Sequence, residues 1–255
     1  MTRLNIISFF VGLTAQVGSL STASALAFGF VLGLKHAVEA DHLAAVSTIV
    51  SERKSIWSSS LVGGLWGLGH TAALLVVGIA VILFNVEIDG KTARVLEFGV
   101  GLMLVALGIN ALQKLARGGH LHLHVHQHGG RAHIHPHIHD GSPETDAHMH
   151  HGFSLGTRPL LIGMVHGMAG SAALMLLVLS TISSSFVRIL YIVVFGIGSI
   201  GGMMLMSALF GLPIYLTAAR FTRVNVAVRV LAGLFSLSFG LFTVYQIGIV
   251  KGLFR

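Results

Sequence analysis

Residues 35–42 read KHAVEADH, set between ALAFGFVLGL (25–34) and LAAVSTIV (43–50). Five charged or titratable groups thus interrupt a stretch otherwise suited to lipid. Ionisable side chains inside a membrane are expensive and mark a pathway or a binding site. Whether this stretch spans a bilayer decides the fold, and the rest of the chain argues that it does. Of 255 residues, 54% are hydrophobic and 10% charged, whereas soluble domains carry about 25% charged residues. Runs able to cross about 30 Å of hydrocarbon, about 20 helical residues each, fall near 22–50, 61–84, 95–115, 158–181, 187–217 and 228–250. The pattern predicts an all-α fold, a polytopic transmembrane bundle of six spans. The 32 glycines fit it, because small residues let transmembrane helices approach closely. The first run is long, about 43 Å at 1.5 Å per residue. It is therefore expected to be tilted, kinked at Gly33 or broken at the polar motif, and a discontinuous helix is a usual way to build an ion site at the midplane.

The chain divides into a lead-in at 1–20, a three-helix unit at 21–115, a His-rich hydrophilic segment at 116–157 and a second three-helix unit at 158–255. Arg3, the run IISFFVGL and the ALA at 25–27 imitate a secretory signal with its cleavage site. Cleavage there would cut the first span, so the lead-in reads better as interfacial or re-entrant. The second unit repeats the first: GLKHAVEADHLA (33–44) aligns with GMVHGMAGSAAL (163–174), and WGLGHT (66–71) with FGIGSI (195–200). RVL recurs at 94–96 and 229–231, so the offsets are 130, 129 and 135 residues. Three spans repeated once must lie in opposite orientations, a 3+3 inverted repeat, which is a transporter device. The alignment places His36 over His166, Asp41 over Ser171 and His70 over Ser199. Nine Lys/Arg flank the spans on the side of the His-rich segment and six on the other, which puts that segment in the cytoplasm.

Twelve of the sixteen histidines lie in the His-rich segment: His120, His122, His124, His126, His128, His133, His135, His137, His139, His148, His150 and His151. Their alternation matches neither i, i+4 on a helix nor a closed zinc site, and reads as a flexible metal buffer or sensor. The other four, His36, His42, His70 and His166, fall inside spans. With Asp41 they are the candidate metal ligands. On a regular helix Asp41 lies about 140° and His42 about 240° round from His36, so either the helix is distorted or the ligands divide among neighbours. Glu39 shares an arc with His36 and His42 and is a candidate accessory group, as are Ser171, Ser199 and Glu97. The repeat predicts that His36 and His166 meet at one site. Imidazole with carboxylate suits divalent Ni, Co, Zn or Fe. The chain has no cysteine, so thiolate sites and disulfides are excluded. No phosphate-binding loop is present to drive primary transport, and no basic, aromatic-interleaved patch points to nucleic acid.

KHAVEADHLAA resembles the [RK]-H-A-x-[DE]-A-D-H-[IL] signature of the nickel/cobalt transporter (NiCoT) family, and WGLGHTAAL resembles its L-G-H-[ST] motif. The resemblance covers residues 30–80 and implies that His36, Asp41, His42 and His70 recognise Ni²⁺ or Co²⁺. The acidic motifs expected in the second half are absent, and six spans replace eight. The chain therefore looks like a shorter branch, similar to urease-accessory transmembrane nickel transporters, with His166 as a substitute ligand. A secondary transporter in a bacterial plasma membrane is implied, with the metal ion as substrate, no cofactor, and a metallochaperone or a second copy of the chain as partner. Two alternatives stay open: an exporter of the same ions, Zn²⁺ or Fe²⁺, and a membrane di-iron enzyme, to which only HMHH at 148–151 points.

Overall fold

The computed structural model describes residues 22–51, 53, 55–84, 89–117, 122–128, 131–137, 157–168, 182, 184–218 and 221–254. The expected lead-in at 1–20 lies outside them. The first expected span is broken: α1 (Thr22–His36) and α2 (Ala40–Val50) meet at a bend of 56°. The break falls within the polar motif, where the amides of Val38 and Glu39 close short turns onto the carbonyls of Lys35 and His36 at 3.0 and 3.1 Å. Glu39 then takes an extended conformation, φ −67° and ψ 150°. Its carbonyl accepts from the Leu43 amide at 3.0 Å and so starts α2. The amides of Ala37, Val38 and Glu39 thus stay hydrogen-bonded into the turn, as a low-dielectric setting favours.

The chain continues through α3 (Ile56–Phe84), α4 (Gly90–Ala116), α5 (Arg158–Gly167), α6 (Ser185–Ala218) and α7 (Thr222–Tyr245), which runs into a π-helical turn at Gln246–Val250. Asp89 caps α4 by accepting from the Thr92 amide at 3.0 Å. Pro159 occupies the first turn of α5, where its missing N–H leaves no bond unmade. By length and composition α3, α4, α6 and α7 can each cross a membrane, and the bent pair of α1 and α2 adds a fifth crossing if it is one span. The remaining expected span, 158–181, is described only to residue 168. Large apolar side chains such as Val76, Leu83, Phe84, Phe186, Leu216 and Leu231 face outward, whereas His36, His42, His70, His166, Ser199 and Ser207 are buried. Apolar outside and polar inside is the distribution of a multi-pass membrane protein.

Glycines set how the helices meet. α1 buries Gly29, Gly33 and His36, and α5 buries Pro159, Gly163 and His166. Each set follows i, i+4, i+7 and forms one stripe. α1 lies on α6 and α5 on α3, while α3 crosses α6 and α4 pairs with α7. A methyl group at Gly33 would overlap the carbonyl oxygen of Phe195, and one at Gly163 that of Trp66. Gly198 and Gly69 make the complementary approaches, against the carbonyls of Phe30 and Leu160. Each half thus supplies the surface on which the other half's short helix rests.

Between α4 and α5, within the His-rich segment read as a metal buffer or sensor, the described residues form β1 (His122–His128) and β2 (Arg131–His137), an antiparallel ribbon pairing His122 with His137, His124 with His135 and His126 with His133. The alternation of His with Leu, Val and Ile is the two-residue period of a strand, and Gly129-Gly130 between the two runs is a hairpin signal. The bundle itself is helical throughout the described residues.

Candidate metal centre

Four helices deliver the cluster. His36 ends α1, Asp41 and His42 open α2, His70 lies within α3 and His166 sits near the end of α5. The close approach at Gly33 and at Gly163 brings the histidine three residues later in each helix to the same interior space. His36, His42, His70 and His166 are all buried, and Asp41 is partly buried.

The two carboxylates orient the rings. His36 Nδ1 is 3.0 Å from Glu39 Oε2, and His42 Nδ1 is 3.0 Å from Asp41 Oδ1. An ionised carboxylate only accepts, so each ring donates from Nδ1 and keeps a lone pair on Nε2. This is the arrangement by which an outer carboxylate prepares a histidine for metal. The Asp41 Oδ2 atom accepts from His166 Nε2 at 3.1 Å. His36 Nε2 faces His70 Nε2 at 3.1 Å. His42 Nε2, His70 Nδ1 and His166 Nδ1 are buried with no hydrogen-bond partner among the described residues. Buried polar atoms are normally paired, so three unmatched imidazole nitrogens in one space amount to unused coordinating capacity.

The ligating atoms form two overlapping triads: His36, His42 and His70, and Asp41, His42 and His166. Within each triad one such atom per residue lies within 4.8 Å of the others. His42 belongs to both, with ring centroids 4.3 Å from His36 and 4.3 Å from His166. His166 lies beside Asp41 and His42 and neighbours His36 through His42 rather than in one shared triad. Glu39 is a partner of His36 rather than a member of either triad.

Neither comparison with protein-family models nor comparison with solved structures gives a match. Over 233 residues, 91% of this chain and 95% of the relative, the sequence is 40% identical to the urease accessory protein UreH of Bacillus sp. strain TB-90. The chain belongs to the UreH family. A stretch of 90 residues, 34% of this chain and 25% of the relative, is 30% identical to the high-affinity nickel transport protein of Cupriavidus necator.

The remaining candidates of this UreH-family chain separate. Ser199 is fully buried, its hydroxyl without a partner among the described residues, and the backbone around it packs on Gly33. Glu97 pairs with Lys251 at 3.0 Å in an exposed contact and joins neither triad. Ser171, His120, His139, His148, His150 and His151 lie outside the described residues. The other loop histidines are placed only as positions on the ribbon. Sequence reasoning missed the aromatic walls: Trp66 lies 5.3 Å from His42 and 5.6 Å from His166, and Phe195 lies 5.5 Å from His36, centroid to centroid. The signal for Trp66 was available in WGLGH, where it stands four residues before His70 and so on the same helix face.

Proposed function

We propose that the chain is a secondary transporter that carries Ni²⁺, Co²⁺ or both across the membrane through the cluster of His36, Asp41, His42, His70 and His166. The observation that carries this reading is the convergence of five ligand-type side chains, from four separate helices, in the interior of an apolar bundle. Imidazole and carboxylate suit late first-row divalent ions without choosing among them. The choice of nickel rests on the relatives, one named as a urease accessory protein and the other as a nickel transport protein. Transport rather than enzyme catalysis follows the relative named as a nickel transport protein.

The reading extends to organisation. Residues 21–115 and 158–255 act as inverted three-helix repeats about the site, supported by the exchanged approaches of Gly33 on Phe195 and Gly163 on Trp66. Glu39 holds His36 in its ligating tautomer, and Ser199 occupies the position in the second repeat that His70 has in the first. The His-rich segment lies on the cytoplasmic side of a bacterial inner membrane and buffers metal there. A metallochaperone is its natural partner. The decisive experiment supplies Ni, Co, Zn, Mn and Fe separately to cells expressing the protein and measures cell metal, followed by flux in proteoliposomes. Selective, protein-dependent change in Ni or Co supports the reading, and its sign gives the direction. Unchanged Ni and Co with a stably inserted protein overturns it.

A further inference from the structure

Five ligands around one ion would make a deep trap, yet the cluster does not gather its donors around one point. Each triad contains one pair of facing donor atoms at the same short separation: His36 Nε2 and His70 Nε2 at 3.1 Å, and Asp41 Oδ2 and His166 Nε2 at 3.1 Å. Ligands about 2.0–2.1 Å from a tetrahedral ion stand about 3.3 Å apart. Each pair now shares one proton, on His70 Nε2 and on His166 Nε2; once that proton moves to the unpartnered Nδ1 of the same ring, the pair spans a coordination edge. His42 belongs to both triads, and its Nε2 is buried with no hydrogen-bond partner among the described residues.

We propose that the ion occupies two overlapping sites in turn, His36/His42/His70 and Asp41/His42/His166, and that His42 is the shared ligand that stays bound while the other two are exchanged. This rests on the metal-transport reading above and specifies how that site works. An ion moving between separate sites would shed all its protein ligands at once, whereas here it keeps one bond throughout. The two sites also differ in charge. The first offers three neutral imidazoles, and the second adds a carboxylate, so the Asp41 site holds a divalent cation more strongly and the imidazole site releases it more readily. Because His42 offers a single free nitrogen, the two sites exclude each other and the chain binds one ion at a time.

The test uses Co²⁺, whose visible absorption reports ligand set and geometry, titrated into the purified full-length protein in nanodiscs. Spectra and stoichiometry are read after subtracting those of a variant with His36, Asp41, His42, His70 and His166 all changed to alanine, whose His-rich segment is intact, so that only the ion in the cluster is counted. Wild type should bind one ion per chain. His36→Ala and His166→Ala should each still bind one ion, with two different visible spectra, while transport in proteoliposomes is lost in both. His42→Ala should lose the Co²⁺ spectrum entirely, and His42→Gln, which keeps most of the ring's volume, guards against misfolding and should lose it too. Size-exclusion profiles establish that each variant is intact. If His36→Ala and His166→Ala each abolish binding, the ligands form one site and the hand-over is wrong while the transport reading stands. If His42→Gln retains either spectrum, His42 is not the shared ligand and the proposal falls. If intact wild type binds neither Co²⁺ nor Ni²⁺, the metal reading itself fails.

Discussion

Asp41 touches two histidines at once, His42 through Oδ1 and His166 through Oδ2, so its loss removes both a donor and the orientation of two others. Losing an outer partner of a metal ligand typically costs about 10–100-fold in affinity or activity. Asp41→Ala should therefore lower Ni²⁺ or Co²⁺ flux by more than about 100-fold, measured by metal uptake into proteoliposomes. Wild-type flux in that protein would remove Asp41 from the mechanism. Glu39→Ala should be milder, with about a 10–100-fold loss of metal affinity, because it frees the His36 ring without removing a donor. Calorimetric titration distinguishes the two. The identities of these residues are legible in KHAVEADH, but their roles are not. Helical-wheel arithmetic spreads His36, Asp41 and His42 around a cylinder, and only the break at 37–39 turns the second helix so that all three face one space. Equally, no spacing rule tells that Glu39 steadies a ligand instead of being one.

At the scale of the element, α5 is a ten-residue helix, and its position rests on the absence of a side chain at Gly163. Gly163→Ala places a methyl against the Trp66 carbonyl and must lift α5 from α3, carrying His166 out of the cluster. Overpacking of this kind costs about 1–3 kcal/mol, so the thermal midpoint of the solubilised protein should fall and transport with it. Gly99 provides the contrast, since a methyl there meets nothing within 4 Å. Gly99→Ala should hold or raise the midpoint, an alanine in a helix being favoured over glycine by about 0.5–1 kcal/mol. Equal destabilisation by both substitutions would count against the packing argument. The broken first helix was among the forms expected from its excess length and polar centre. The ribbon was not, because the alternation of the histidines was compared with metal-site spacings and not with the two-residue period of a strand.

For the molecule as a whole, the ribbon lies between α4 and α5 in the chain and contributes nothing to the triads among the described residues. Deleting residues 120–151 should leave metal transport measurable but change its dependence on metal concentration, as uptake curves across a range of Ni²⁺ would show. A stably inserted but inactive deletion protein would rule out a buffering role. Only the internal repeat pointed to His166, because nothing local to LIGMVHGMAG distinguishes a ligand from a packing histidine.

The mutual seating of α1 on α6 and α5 on α3 carries a consequence for how the protein is made. Each half is missing a wall that the other provides, so the bonds that matter between them are those of an interlocked pair, and the peptide link serves mainly to keep the two at high local concentration. Cut within 138–156 and produced as two polypeptides in the same cell, residues 1–137 and 157–255 should find each other in the membrane, co-purify and restore transport. Either fragment produced alone should be degraded. Failure of the pair to associate would mean that the connection, and not the interlocking, holds the halves together.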